Sequence, residues 1–344
     1  MSHPFEQLPT TPLADELVDK AFSRGARAGR AKSGIDAQHS MLQTAANIIS
    51  DNLENVVTAW PDFDHLHPFY RNLADAVVGV DQLRENLNEV NWASTKATDL
   101  RKEYESRLYK SDLETATKLR KQAYARLADV VEEIADDLEA LIDAREALRV
   151  LPDIRPDQPT IVVAGYPNVG KSSFVNAVTR ASNREASYPF TTTQVHVGHV
   201  EYKHMNHQLV DTPGLLDRPP EERNEVESQA INALEHAADA VLVILDPSLD
   251  CGYPLEMQRA LRDDIETRFD VPVLSIYNKI DRLEPDEREQ LVTEEQDRVV
   301  DTEQIFDPET NLMSVTEGEN VQQVLDQALD AVGYEPELPV DRER

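Results

Sequence analysis

The sequence predicts an α-helical N-terminal domain followed by an α/β domain with a mostly parallel sheet. Three observations predict it. Apolar residues recur at three- and four-residue steps up to about residue 149, the period of a helix with one buried face. The segment LPDIRPDQP, 151–159, then places three prolines in nine residues, and proline both lacks an N–H and disfavours helix in the residue before it. Beyond it, short β-branched runs alternate with helical stretches, the pattern of a parallel sheet covered on both faces. A length of 344 residues suits two domains.

Residues 36–59 and about 69–108 carry the helical period, and WPDFDHLHP, 60–68, breaks them with prolines. Residues 111–149 carry Leu113, Ala116, Leu119, Ala123, Leu127, Val130, Ile134, Leu138, Leu141 and Leu148 on one stripe. Ser111 and Glu114 fit a capping box at its start. One helix of that length would span about 58 Å. The expected layout is a helical domain over 1–150 and a linker over 151–159. A sheet domain over 160–333 and a charged tail over 334–344 complete it. Within the sheet domain, TIVVAG (160–165), QVHVGHVEY (194–202), QLVDT (208–212), AVLVIL (240–245), PVLSIYN (272–278) and NLMSV (311–315) read as strands. Helices are expected at 171–180, 224–237, 254–269 and 320–332.

The net charge is −31, and lysine (10) is scarce beside arginine (24). Dense carboxylates keep a surface hydrated and a protein soluble, which suits a salt-rich cytosol. At molar salt the Debye length falls to about 3 Å, so net charge does not exclude a nucleic-acid partner. The charge is uneven: residues 1–155 hold 19 basic and 27 acidic side chains, net −8, and the remainder is net −23. One cysteine, Cys251, rules out an internal disulfide framework. No run of 18 apolar residues is present and the N-terminus has no signal-like core, so a cytoplasmic chain with no membrane association is expected.

The chemistry enters after the first expected strand. GYPNVGKSS, 165–173, fits G-x-x-x-x-G-K-[ST]. Glycines let backbone N–H groups wrap phosphates, Lys171 supplies charge to the β/γ oxygens, and the Ser172 hydroxyl ligates Mg²⁺. Gly165, Tyr166, Pro167, Asn168, Val169, Gly170, Lys171, Ser172 and Ser173 are therefore expected to line a nucleotide. DTPG, 211–214, closes a later strand. There Asp211 would hold Mg²⁺ through a water, Thr212 and Pro213 would complete the turn, and the Gly214 N–H would sense the γ-phosphate. YNKID, 277–281, offers Asp281 to guanine's N1–H and exocyclic amine. Asn278 would meet the other ring edge and the Lys279 stem would cover the ring face. SVTEG, 314–318, offers Ser314 and the backbone around Val315 to the guanine carbonyl. A threonine from YPFTTT, 188–193, would complete Mg²⁺ coordination; Thr192 is the first choice and Thr191 the second. The catalytic set is then Lys171, Thr192 and Gly214, the metal set Ser172, Thr192 and Asp211, and the ligands GTP or GDP with Mg²⁺.

At this point the chain resembles a known family. GYPNVGKSS, YPFTT and DTPGLLD resemble the Obg-like P-loop GTPases. LHPFYRNLADAV (66–77), LPDIRPDQPTIVVAGYPNVGKSSFVNAVTRA (151–181), FTTTQVHVGHVEYK (190–203), RNEVESQAINAL (223–234) and DPSLDCGYPLEMQ (246–258) resemble the Nog branch, the nucleolar GTP-binding proteins. The resemblance runs from about residue 10 to about 330 and includes the helical domain. It implies an N-terminal helical bundle, a GTPase domain, and a role in assembling the large ribosomal subunit with precursor rRNA and ribosomal proteins as partners. It does not carry over contacts made by the long C-terminal extension of eukaryotic relatives. The acidity fits a salt-adapted, archaeal-type member, for which a nucleolar address does not transfer.

Leu215 stands where better-known GTPases place a water-orienting glutamine. A low intrinsic rate of GTP hydrolysis follows as an expectation, and the resemblance implies that an apolar residue there is usual for this branch. Asn168 sits where potassium-activated relatives place an asparagine ligand, so K⁺ is a candidate activator. Lys20, Arg24, Arg27, Arg30 and Lys32 lie in a run without acids. Residues 96–126 hold nine basic and five acidic side chains interleaved with Tyr104, Tyr109 and Tyr124. The first run is read as an RNA contact; for the second a solvated helix face is the preferred reading. His65 and His67 read as a packed turn rather than a metal pair, Cys251 as a packing residue, and Trp60 and Trp92 as core. The expected function is a GTP-dependent assembly factor of the large subunit, monomeric off the ribosome. The alternative is a GTPase coupled to RNA modification or to another partner.

Overall fold

The apolar stripes and the alternating strands fold as two compact units, Ser2–Leu66 with Val77–Arg149, and His67–Ala76 with Val150–Arg344. The computed structural model describes residues 3–179, 184–187, 194–212, 216–217, 223, 225–299, 307 and 311–333. The expected boundary at 150 needs one amendment. Residues 67–76 group with the second unit rather than with the helices around them.

The first unit is built from α1 (Ala14–Gly29), α2 (Gly34–Ala59), α4 (Val80–Leu108), α5 (Leu113–Glu133) and α6 (Ala135–Arg149). Its core is the predicted stripes: Leu42, Ile49 and Leu53 of α2, Val90 of α4, Leu127 of α5 and Leu138 and Leu141 of α6 are fully buried. α1 was not visible as a periodic element. Its buried face is Leu17, Ala21, Gly25 and Gly29, small residues that admit close approach instead of large ones that mark a stripe. A Cβ on Gly25 would lie 2.4 Å from the Tyr124 hydroxyl and 2.8 Å from the Met41 carbonyl oxygen.

The single helix expected over 111–149 is two helices, with Ile134 between them at φ −104° and ψ 16°. Glu132 and Glu133 end α5 while Asp136 and Asp137 begin α6. Carboxylates are unfavourable at a helix C-terminus and favourable at an N-terminus, so a break between the pairs relieves the first and uses the second. The capping box also differs. Asp112, not Ser111, is the N-cap, and its carboxylate accepts the Thr115 N–H at 2.8 Å. The run 69–108 divides at Gly79, whose φ of 69° favours glycine. Trp60 is buried, but Trp92 is 40 % exposed, against the expectation of core.

In the second unit, α3 (Pro68–Val78) buries Phe69, Tyr70, Leu73 and Ala74. The Tyr70 hydroxyl donates to the Ile154 carbonyl at 2.6 Å. That bond ties LHPFYRNLADAV to the proline segment and accounts for its grouping. The sheet has six strands in the order β2-β3-β4-β1-β5-β6. They are β1 (Thr160–Ala164), β2 (Arg184–Ser187), β3 (Gln194–Tyr202), β4 (Met205–Asp211), β5 (Ala240–Leu245) and β6 (Val273–Tyr277). β1 runs parallel to β4 and β5, and β5 to β6. β2, β3 and β4 are antiparallel neighbours. β1 and β5 are buried throughout, as a doubly covered sheet requires.

The helices are α7 (Lys171–Val178), α8 (Glu225–Glu235), α9 (Leu255–Arg268), α10 (Pro285–Val299) and α11 (Val321–Ala331). NLMSV, expected as a strand, instead forms an isolated bridge from Leu312 to Tyr277. Asn320 closes the stretch, its side chain donating to the Leu312 carbonyl at 2.7 Å. Among the described residues no helix is long and apolar enough to cross a membrane.

The packing of α1 generates a prediction. Gly25→Ala improves helix propensity by up to about 1 kcal/mol, yet it drives a methyl into backbone and a phenol, so we expect a net loss of about 1–3 kcal/mol. At Gly29 the obstructing group is the flexible Met41 side chain, so Gly29→Ala is expected to be the milder change. Urea unfolding of the two variants measures both; a Gly25→Ala protein as stable as the parent would refute the tight contact.

Candidate functional site

The parallel strands bring their C-terminal ends to one edge of the sheet, the edge where open α/β sheets bind ligands. Four expected motifs lie there, after β1, β4, β6 and the Leu312 bridge, and β5 brings a fifth group, Asp246. Gly165 follows β1, Asp211 ends β4, Asp246 follows β5 and Asn278 follows β6. Ser314 follows the Leu312 bridge.

The loop 165–170 between β1 and α7 is shaped by backbone that only a few residues tolerate. Gly165 has φ 132°, Asn168 64° and Gly170 108°. A Cβ on Gly165 would lie 2.3 Å from the Ile244 carbonyl oxygen, and one on Gly170 would lie 2.2 Å from the Asn278 amide nitrogen. Lys171 opens α7 and is buried. Its ammonium donates to the carbonyls of Gly165 (2.6 Å) and Tyr166 (3.0 Å). An ammonium has three donors, so one remains for an anion held in the loop. Burial lowers the Lys171 pKa, while Asp211 and Asp217 oppose that shift. Tyr166 and Val169 are buried, and Asn168, Ser172 and Ser173 are exposed.

Asp211 is fully buried, and Ser172 Oγ donates to its Oδ2 at 2.5 Å. Its Oδ1 is also buried and has no hydrogen-bond partner among the described residues. Burial raises the Asp211 pKa, against the opposing effects of the Ser172 hydroxyl and Lys171. A buried, unsatisfied carboxylate oxygen beside a hydroxyl is the donor set a hard divalent cation takes, either directly or through water. The residues present therefore fit Mg²⁺. Thr212 differs from expectation: its hydroxyl donates to the Val163 carbonyl at 2.9 Å, so the side chain braces β1 and does not face the site. Thr191, Thr192, Pro213, Gly214 and Leu215 lie outside the described residues.

Asn278 was expected to meet a purine ring. Its carboxamide is instead engaged on both sides: Nδ2 donates to the Val169 carbonyl (2.8 Å) and Oδ1 accepts the Val315 N–H (3.1 Å). One amide hydrogen remains for a ligand. The Ser314 N–H donates to Glu319, and its hydroxyl accepts the Glu317 N–H. Ser314 and Val315 thus shape the turn, and Thr316 carries its first amide without an acceptor among the described residues. Lys279 adopts a left-handed backbone, φ 63°, and its ammonium donates to Asp246 Oδ2 at 2.6 Å. Asp281 is exposed on a 3-10 turn, Ile280–Arg282. Sequence reasoning did not single out Asp246, and within SVTEG it did not choose Thr316 among the backbone amides. The first carries no motif, and the second is identified only by which amides its neighbours use up.

Two profiles match this chain, one described as "NOG1 N-terminal helical domain" over residues 5–155 and one as "50S ribosome-binding GTPase" over 160–279. The "Uncharacterized protein MJ1408" of Methanocaldococcus jannaschii is 37% identical over 294 residues, 82% of each chain. The chain belongs to the Nog family. Nucleolar GTP-binding protein 1 of Drosophila melanogaster is 35% identical over 85% of this chain, which spans 47% of that protein's length. A solved Plasmodium falciparum structure named for nucleolar GTP-binding protein 1 covers 53% of this chain and 90% of its own, at 35% identity and a TM-score of 0.44. As a Nog-family chain with a GTPase domain, it binds guanine nucleotide.

The helical unit carries a second candidate surface. Arg24, Arg27, Arg30 and Lys32 are exposed at the C-terminal half of α1 and the turn after it. None of these four forms an ion pair among the described residues. Lys20 donates to Asn52. Of the three interleaved tyrosines only Tyr109 is offered to solvent, at 60 % exposure. Tyr104 is buried under the Arg107 and Arg126 guanidinia. Tyr124 donates to the Met41 carbonyl and stacks on Phe22. His65 pairs with Asp62, and among the described residues no cluster of three or more His, Cys, Asp or Glu side chains could hold a metal ion. Cys251 is buried, as a packing residue should be.

The buried Asp211 supplies a test. Its folded pKa lies above its ordinary value of 3.8, so its ionised form opposes folding once pH rises past that value. Asp211→Asn is expected to raise the nucleotide-free melting midpoint of this unit at neutral pH by about 2–4 °C per kcal/mol relieved. The gain should disappear below pH 3.8, and stabilisation by Mg²⁺ with nucleotide should be lost. Calorimetry across pH decides; a lowered midpoint at pH 7 would mean that the carboxylate is already well satisfied.

Proposed function

We propose that the chain is a GTP-operated, slowly hydrolysing switch that assists assembly of the large ribosomal subunit, its helical unit contacting rRNA. The observation that carries this is the convergence at one sheet edge of Lys171, the Ser172–Asp211 pair, Asn278, Asp281 and the Ser314 turn, on a chain whose other unit is the Nog helical domain. The phrase "50S ribosome-binding GTPase" describes the second profile and supports the large subunit as partner.

In this reading the loop 165–170 wraps the phosphates with backbone N–H groups, and Lys171 directs its remaining proton at them. Ser172 and Asp211, with Thr192, would hold Mg²⁺, which would supply positive charge to offset that of the phosphates. Burial and the empty Oδ1 make Asp211 a strong acceptor for the ion's shell. Asp281, exposed at its turn, accepts from guanine's N1–H and amine. Gly214 reports the γ-phosphate to the segment that follows. Leu215 has no hydrogen-bonding group to orient water, so turnover is slow and the GTP-bound state is long-lived. Asn168, exposed and left-handed in the phosphate loop, is placed for a K⁺ that would supply positive charge otherwise brought by an arginine finger.

The Arg24, Arg27, Arg30 and Lys32 group, with Tyr109, supplies phosphate contacts and one stacking face to rRNA. In a salt-rich medium counterion release weakens, and shape and stacking carry more of the affinity. Cytoplasmic residence and a monomeric free form complete the reading.

Two experiments test it. The chain should co-sediment with large-subunit particles in molar KCl with a non-hydrolysable GTP analogue and not with GDP, and Asp281→Ala should abolish the association. Equal or absent binding in both states would point to a GTPase whose partner lies off the ribosome. Separately, GTP turnover should be faster in KCl than in NaCl, and Asn168→Ala should remove the difference; identical rates in both salts would eliminate the K⁺ role.

A further inference from the structure

The segment DPSLDCGY, 246–253, follows β5 and carries no nucleotide motif. It nevertheless touches the base-reading turn twice and the phosphate loop once. Asp246 is fully buried. Its Oδ2 accepts the Lys279 ammonium (2.6 Å) and the Cys251 N–H (2.8 Å). Its Oδ1 accepts the Ser248 N–H (3.0 Å) and hydroxyl (2.5 Å). The Gln258 side chain from α9 takes both its backbone groups: Oε1 accepts the Asp246 N–H at 2.7 Å, and Nε2 donates to the carbonyl at 3.1 Å. Asp250 pairs with Arg282, three residues beyond Lys279. The Tyr253 ring lies 4.5 Å from that of Tyr166.

Three of the four donors on the Asp246 carboxylate come from its own loop, and the fourth is the end of a long side chain from another. A lysine loses up to about 2 kcal/mol of rotamer entropy when its stem is fixed. Here the stem is fixed within the protein, with Lys279 only 16 % exposed. We propose that Asp246–Tyr253 is a positioning element for guanine binding, in which Asp246 holds the Lys279 stem as a preformed floor for the base and Tyr253 links that floor to the phosphate loop. Asp246 touches no ligand itself; it acts through Lys279. The inference rests on the guanine-site reading above.

Release of a fluorescent GDP measures it. Asp246→Asn removes the charge that anchors Lys279 and keeps the side-chain size. GDP and GTP release should both quicken about tenfold, and Lys279→Met should do the same. The double variant should be no worse than either single one, because the two residues act as one unit. In Asp246→Asn, single-turnover hydrolysis of bound GTP should be unchanged, which a general deformation of the site would not allow. Should Asp246→Asn fail to fold, the unaltered protein still decides: GDP should slow amide exchange at Ser248 and Cys251, and no protection there would overturn the proposal. Additive effects of the two substitutions, or unchanged GDP release in Asp246→Asn while Asp281→Ala accelerates it, would also overturn it. Unchanged release in Asp281→Ala would instead remove the guanine-site reading, and this inference with it.

Discussion

One carboxamide, that of Asn278, sets the distance between the two halves of the candidate nucleotide site. It donates to Val169 in the phosphate loop and accepts from Val315 in the turn beyond β6. Both partners are backbone groups, so the link fixes chain positions rather than side-chain rotamers. It also explains a glycine. Any Cβ at position 170 would occupy the space of the Asn278 amide nitrogen, so the phosphate loop can close against β6 only with hydrogen there. A buried neutral hydrogen bond is worth about 1 kcal/mol net, but leaving either backbone partner unmet costs more. The tie is therefore held by what its loss would expose.

A second brace acts on the other side of the same strand. Arg262 of α9 is 2 % exposed and donates to the Tyr277 hydroxyl and to Glu295 of α10, itself buried. Glu295 also pairs with Arg259. Burial and Glu295 raise the Tyr277 pKa, so the phenol stays protonated. Tyr277 immediately precedes Asn278. Buried ion pairs are poor sources of net stability, because desolvation offsets the attraction. Their use here is geometric: α9 and α10 are locked to the last residue of β6, and the turn that follows inherits that position.

Much of this was legible in the sequence, and the failures share a physical cause. The phosphate loop, DTPG, NKID and the proline boundary are legible because each motif is dictated by local backbone chemistry. Long helices such as α2 and α4 are legible because large apolar residues recur at the helical period. α1 escaped because its contact face is alanine and glycine, where close approach replaces bulk. α10 escaped because, within Pro285–Val299, mostly charged side chains surround Leu291. The tyrosines of 96–126, where a solvated helix face is the preferred sequence reading, show a related limit. An aromatic among arginines reads as a stacking platform, but Tyr104 and Tyr124 spend their faces on their own chain's guanidinia. Only packing distinguishes an offered ring from a used one.

The placement of residues 67–76 carries the last step. LHPFYRNLADAV precedes the proline segment by more than 70 residues in sequence, yet the Tyr70 hydroxyl closes on the Ile154 carbonyl. Phe69 and Leu73 are fully buried beside it. The chain thus leaves the helical unit, contributes one helix to the second unit, and returns through Gly79 before the helical unit is complete. The chain passes between the units at 66–67, at 76–77 and again at 149–150, just before the proline segment. The boundary of each unit is therefore set by packing and by the Tyr70–Ile154 bond, not by chain order.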